Sequence, residues 1–171
     1  MDVQRAARRA ARPVRLSARM LTFDANVLFY AVDHRDGDKH KRCQGILRAA
    51  AAGSEAFLTL QALGEFCNAT ARKRVLPRAV AMQVVRDWAS MFAVHAADAG
   101  ALDLCLPWWA EERLSYWDAL LVATASTGGA TAMISEDLQD GAVIGGVEII
   151  SPFVKDVAAR VAVHGLKLAE A

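Results

Sequence analysis

A chain of 171 residues, 54% of them hydrophobic, is long enough to close one core without a disulfide or metal staple. Its 20 Lys and Arg against 19 Asp and Glu leave a net charge of +1, but residues 1–19 carry six arginines against Asp2, net +5, so the rest of the chain holds −4. That body is not a strongly basic binder, and to hold a polyanion it needs local cationic patches or metal ions.

Residues 1–19, with Arg5, Arg8, Arg9, Arg12, Arg15 and Arg19 among alanines, have the composition of a basic amphipathic helix or an Arg-rich transit peptide. Pro13 breaks any continuous helix, and no apolar stripe ties the segment to a core. We expect a disordered basic extension, with the folded chain opening at Met20.

From there Leu21-Thr22-Phe23 reads as a strand that runs into Asp24 and then a helical pattern of Val27, Leu28, Tyr30 and Ala31. A loop at residues 33–38 precedes an alanine-rich helix over 40–52 with Cys43, Ile46, Leu47 and Ala50 inward, closed by Gly53. The second strand is expected at 56–60. A helix over 61–74 follows, with Leu63, Phe66, Cys67 and Thr70 inward, and Pro77 opens another over 78–91. A short third strand is placed at 92–95. Asp98 caps a helix carrying Leu102, Cys105, Leu106 and Trp109, which Pro107 is expected to kink or split. The next helix, 116–127, begins after Ser115 and stops at Gly128-Gly129. Strands at 131–134 and 147–150 and a C-terminal helix from Pro152 with Val154, Val157, Val161 and Leu168 complete the pattern. Strands alternating with helices predict an α/β fold with a mainly parallel sheet of about five strands and helices on both faces. Residues 20–153 read as one domain and 154–171 as a helical extension.

Cys43, Cys67 and Cys105 are odd in number, widely spaced and set in apolar or helical contexts, which predicts reduced, buried thiols and a cytoplasmic protein. His34, His40, His95 and His164 form no metal-binding pair, and no apolar run reaches the length of a membrane span.

Four acids recur where a strand gives way to a helix or shortly after: Asp24, Glu65, Asp118 and Asp137. Each has an ordinary reading. Asp24 suits a helix N-cap, Glu65 an exposed helix position, Asp118 the end of a Ser-x-x-Asp capping box with Ser115, and Asp137 a turn beside Asp140-Gly141. All four nevertheless fall at one edge of the same sheet. Four converging carboxylates repel, and magnesium or manganese, hard cations that take oxygen ligands and keep water, would relieve that repulsion while leaving room for a phosphate. Asn26 and Ser135 stand where they would orient the acids. Asp140 is a candidate outer acid whose place suits a turn. Arg72, Lys73 and Arg74, at the exit of the Glu65 helix, read either as contacts to an RNA backbone or as a helix end complementing its dipole. Trp108 and Trp109 offer base-stacking faces, with buried packing the alternative for at least one.

These residues resemble the PIN-domain ribonucleases, and among them the bacterial VapC-type toxins. Phe23-Asp24-Ala25-Asn26 is similar to the opening D-x-N motif, Gly64-Glu65-Phe66 to the helical glutamate, Ser115-Tyr116-Trp117-Asp118-Ala119 to the third acid, and Ser135-Glu136-Asp137 to the [ST]-x-D motif. The resemblance covers about residues 20–153. It implies a three-layer α/β/α fold, Mg- or Mn-dependent endonuclease action on RNA with Asp24, Glu65, Asp118 and Asp137 as catalytic metal ligands, a homodimer, and inhibition by a cognate antitoxin protein. Two rivals remain: a catalytically idle PIN-like interaction module, and a small-molecule phosphohydrolase, whose second acid would fall where this chain has Asn26. No G-x-G-x-x-G follows the first strand, which argues against a dinucleotide enzyme.

Overall fold

The computed structural model describes residues 19–53 and 56–168; the expected N-terminal extension lies, apart from Arg19, outside them. Chain order is β1 (Met20–Phe23), α1 (Ala25–Tyr30), α2 (Gly37–Gly53), β2 (Phe57–Thr59), α3 (Leu60–Lys73), α4 (Arg78–Met91), β3 (Ala93–His95), α5 (Ala99–Ala110), α6 (Tyr116–Thr127), β4 (Ala130–Ile134), β5 (Val143–Ile144), β6 (Val147–Ile150) and α7 (Val157–Val163). Apolar runs too short for helices become the strands, and all three of Leu21, Thr22 and Phe23 are buried, as a strand covered on both faces requires.

Four strands form a sheet in the order β1-β4-β6-β5, with β1, β4 and β6 parallel and β5 antiparallel to β6; β2 and β3 form a second, parallel pair. A parallel bridge from Leu21 to Ala56 sets the small sheet beside β1. β1 therefore has β4 on one side and β2 on the other, so the strand order reverses direction there. The crevice outside the carboxyl ends of strands at such a switch point is where open α/β sheets bind ligands. Asp24 follows β1 directly, and Ser135 follows β4.

The main core gathers Leu21, Phe23, Leu28, Phe57, Phe66, Met133, Ile134 and Ile149, all nearly inaccessible. A smaller one, Ala101, Cys105, Ala119 and Ala123, lets α5 and α6 pack closely through small side chains.

The described residues hold six strands where five were expected. The addition is β5, joined to β6 through Gly145 (φ +58°) and Gly146 (φ +82°), the two-residue left-handed turn that hairpins favour. α5 runs through Pro107 without splitting: the proline withholds one N–H from the ladder, and the packing of α5 on α6 through Ala101, Cys105, Ala119 and Ala123 holds the helix across that gap. The C-terminal helix is shorter than expected, seven residues starting at Val157, with Pro152–Asp156 forming turns before it. Cys43 and Cys105 are buried but Cys67 is exposed, because it lies outside the stripe of α3 formed by Leu63, Phe66 and Thr70. Arg19, placed by its charge in the basic extension, donates a hydrogen bond to the Val163 carbonyl at the end of α7.

Candidate active site

Asp24 is 7% exposed and caps α1, with Oδ1 accepting the Ala25 amide at 2.6 Å. Its other oxygen accepts Ser135 Oγ at 2.6 Å and Asn26 Nδ2 at 2.8 Å. The two partners are themselves fixed. Ser135 Oγ accepts the amides of Asp137 and Leu138 at 3.2 and 3.3 Å, which leaves its proton for Asp24, and Asn26 Oδ1 accepts the Glu136 amide at 3.4 Å. β1, α1 and the loop after β4 are thereby stitched around one carboxyl group.

Burial pushes the Asp24 carboxyl up to about 6, against the pull of the Ser135 and Ala25 hydrogen bonds; the charges of Asp137 and Glu65 push it further up. Those two acids thus act on Asp24 across space although forty residues or more separate them from it in the chain. Asp137 is exposed at the turn after β4.

Glu65 lies half-buried on α3, whose N-terminus is capped by Thr59 Oγ1 accepting the Ala62 amide at 3.1 Å. Gln61, one turn earlier, donates to Glu65 Oε1 at 2.8 Å and to the Trp117 carbonyl at 2.9 Å, joining α3 to the first turn of α6. Asp118 is the next residue of that turn. Ser115 caps α6 by accepting the Asp118 amide at 3.2 Å and donates to Asp118 Oδ2 at 2.6 Å. Ser115 forms its half of the expected box, whereas Asp118 accepts the Ser115 hydroxyl in place of a backbone N–H, and its other oxygen accepts no hydrogen bond among the described residues.

The other candidates lie apart. Glu136 pairs with Lys39 and Asp140 with Arg160, so both have structural partners. Lys73 places its ammonium 4.5 Å from the Phe29 ring centroid, while Arg72 and Arg74 are exposed at the end of α3, about two turns beyond Glu65. Trp108 is half-buried against Gly145; Trp109 stays half-exposed, in edge contact with Tyr116. Gln61 escaped sequence reasoning, although a Gln four residues before a Glu on a helix is a recognisable pairing distance. Trp117, 60% exposed and adjacent to Asp118, escaped it as well.

The candidate donors are all oxygen and anionic, which suits a hard divalent cation, and a carboxyl raised by burial, with two neighbouring acids adding to the rise, gains most from one. Among the described residues no three His, Cys, Asp or Glu side chains stand close enough together to hold one ion directly. Magnesium commonly binds through one or two carboxylates and keeps several waters, so this open spacing remains compatible with it. A groove of about 1080 Å³ lies elsewhere, along α2 and residues 165–168. No helix among the described residues is long and apolar enough to cross a membrane.

Three solved structures share the fold at low identity. A toxin–antitoxin complex from Klebsiella pneumoniae aligns with TM-score 0.58 and 20% identity over 78% of this chain and 98% of that one. VapBC2 from Rickettsia felis, bound to a DNA fragment from its promoter, gives 0.59 and 11% over 77% and 98%. DNA-bound VapBC from Salmonella typhimurium gives 0.59 and 17% over 78% and 98%. A search of curated proteins finds no match. The family model of the PIN domain matches residues 21–139, a span that holds Asp24, Glu65, Asp118 and Asp137. The chain belongs to the PIN-domain family.

Proposed function

We propose that this protein is a metal-dependent endoribonuclease and the toxin of a toxin–antitoxin pair, with Asp24, Glu65, Asp118 and Asp137 as its catalytic acids. The observation that carries the reading is the Asp24 carboxyl, fixed by Ser135 and Asn26 and raised chiefly by burial, with the charges of Asp137 and Glu65 adding to the rise. A carboxyl held in that way suits a site built for a cation better than a helix cap, which needs neither burial nor two extra donors. When bound, magnesium or manganese supplies Lewis acidity towards the scissile phosphate and the attacking water. Asn26 and Ser135 hold Asp24 in one orientation, Ser115 holds Asp118, and Gln61 holds Glu65. Arg72 and Arg74, exposed at the end of α3 and without an ion pair among the described residues, are placed to meet RNA phosphates in this reading.

The likeness to toxin–antitoxin complexes supports an antitoxin partner, and exposed Leu102, Leu104, Leu106 and Trp109 on α5 support a homodimer. Light scattering at micromolar concentration tests the latter: a monomer contradicts it.

The test of activity is RNA cleavage by purified protein with magnesium, manganese or a chelator. Cleavage is expected only with metal, and Asp118→Asn is expected to abolish it while leaving metal-free stability unchanged or slightly higher. Asp118→Asn that still cleaves, but melts earlier, would reduce Asp118 to a cap. Metal-dependent cleavage absent from the native protein on every RNA class tried would favour the idle module.

A further inference from the structure

The Gln61 amide nitrogen serves two acceptors on two helices, Glu65 Oε1 at 2.8 Å and the Trp117 carbonyl at 2.9 Å. Two hydrogens and two acceptors fix which end of the amide is nitrogen, since a flipped group would set oxygen against both. The amide oxygen, thus turned away, is buried with no hydrogen-bond partner among the described residues. An unpaired buried carbonyl costs free energy, so the orientation is set by what the nitrogen holds.

What it holds is the spacing between two acids. Glu65 is gripped through its carboxylate, and Asp118 through the peptide that immediately precedes it. The donor is neutral. An Arg or Lys here would make stronger bonds, but its charge would satisfy the carboxylates and compete with a cation. A neutral amide fixes the distance between like charges and leaves their charge available.

We propose that Gln61 is a positioning residue that fixes Glu65 against the start of α6 and so sets the Glu65–Asp118 pair for a divalent cation. The role rests on the reading of these acids as a cation site. The geometry of the clamp stands on the two hydrogen bonds alone, so the two can be tested apart.

Gln61→Met keeps length and loses both hydrogen bonds. Amide hydrogen exchange over residues 116–119 of the metal-free protein is expected to quicken while the rest of α3 and α6 is unchanged. Manganese affinity by calorimetry should fall roughly 10- to 100-fold, the usual effect of losing an orienting partner of a metal ligand. Cleavage should fall through kcat, with KM for RNA little altered. Gln61→Lys should restore slow exchange through its own donors yet bind manganese no better than Gln61→Met. Native exchange in Gln61→Met overturns the clamp. Quickened exchange with native manganese affinity overturns its role toward the cation, and a native protein that binds no manganese removes the cation site itself.

Discussion

Asp24 carries opposing demands in a single side chain. As a cap it wants to be charged and near water; as the buried centre of the site it is pushed up from 3.8 to about 6. Between those values the folded protein holds a proton that the unfolded chain releases. Stability of the metal-free protein is therefore greatest below about pH 4 in this respect and declines as pH rises through 6, by on the order of 2–3 kcal/mol. Asp24→Asn cannot titrate. Urea unfolding in chelator at pH 4 and pH 7.5 should show native stability falling relative to the variant by about that amount; an unchanged difference would mean that Asp24 titrates as an ordinary carboxyl. Thr22 poses a simpler case, since its hydroxyl is buried without a hydrogen-bond partner among the described residues, and isosteric Thr22→Val should raise stability by ~1 kcal/mol in the same assay. The motif acids, Asn26 and Ser135 were legible because their identities and order in the chain mark them. Gln61 was not, because its second partner is a main-chain carbonyl 56 residues away, and no side-chain pattern announces it.

Among the elements, helix and strand existence followed the apolar period closely, and the misses have local causes. The β5–β6 hairpin is signalled by Gly145-Gly146 between Val143-Ile144 and Val147, but a two-residue strand carries too little periodicity to stand out. Reading Pro107 as a break leaves out the packing of α5 on α6, which carries the helix across the missing N–H. The glycines give a direct check on how tightly the elements are set. A Cβ at Gly128, the C-cap of α6, would stand 2.7 Å from the Phe57 ring and 2.8 Å from His95 Nδ1, which are stacked on each other. Gly128→Ala should cost ~1–3 kcal/mol by forcing α6 away from the small sheet. A Cβ at Gly45, in the middle of α2, would meet nothing within 4 Å beyond its own helix among the described residues, so Gly45→Ala should stabilise by ~0.5–1 kcal/mol through helix propensity alone. Thermal unfolding of the two variants should move in opposite directions. Equal effects would show that the packing around Gly128 yields.

At the scale of the whole molecule, the alternation of strands and helices foretold a parallel sheet but not its order. Strand order depends on pairings such as Phe23 with Ile134, more than a hundred residues apart, which local patterns do not encode. That order nevertheless places the site, since it sets β1 between β2 and β4. It also decides how the ends of the chain are held. Beyond the matched family span, Arg160 joins Asp140, Glu148 and the Ile149 carbonyl, His164 bridges Thr131 and Glu148, and Val157, Val161 and Leu166 are buried. We therefore expect residues 154–168 to be part of the cooperative fold. Three aliphatic side chains at ~1.5–3 kcal/mol each make ending the chain at Phe153 costly by about 4.5–9 kcal/mol, an upper estimate. At ~2–4 °C per kcal/mol, that loss corresponds to a melting temperature lower by about 10 °C or more. The basic N-terminal segment should behave differently, with the boundary set at Arg19 because its guanidinium reaches the Val163 carbonyl. A chain beginning at Arg19 should melt within about 2 °C of the full chain, under 1 kcal/mol by the same conversion, and cleave RNA at the same rate. If that shorter chain instead melts several degrees earlier, residues 1–18 pack on the fold. If it melts normally but cleaves more slowly at low salt, with the difference vanishing as salt rises, the five arginines ahead of Arg19 hold the RNA backbone.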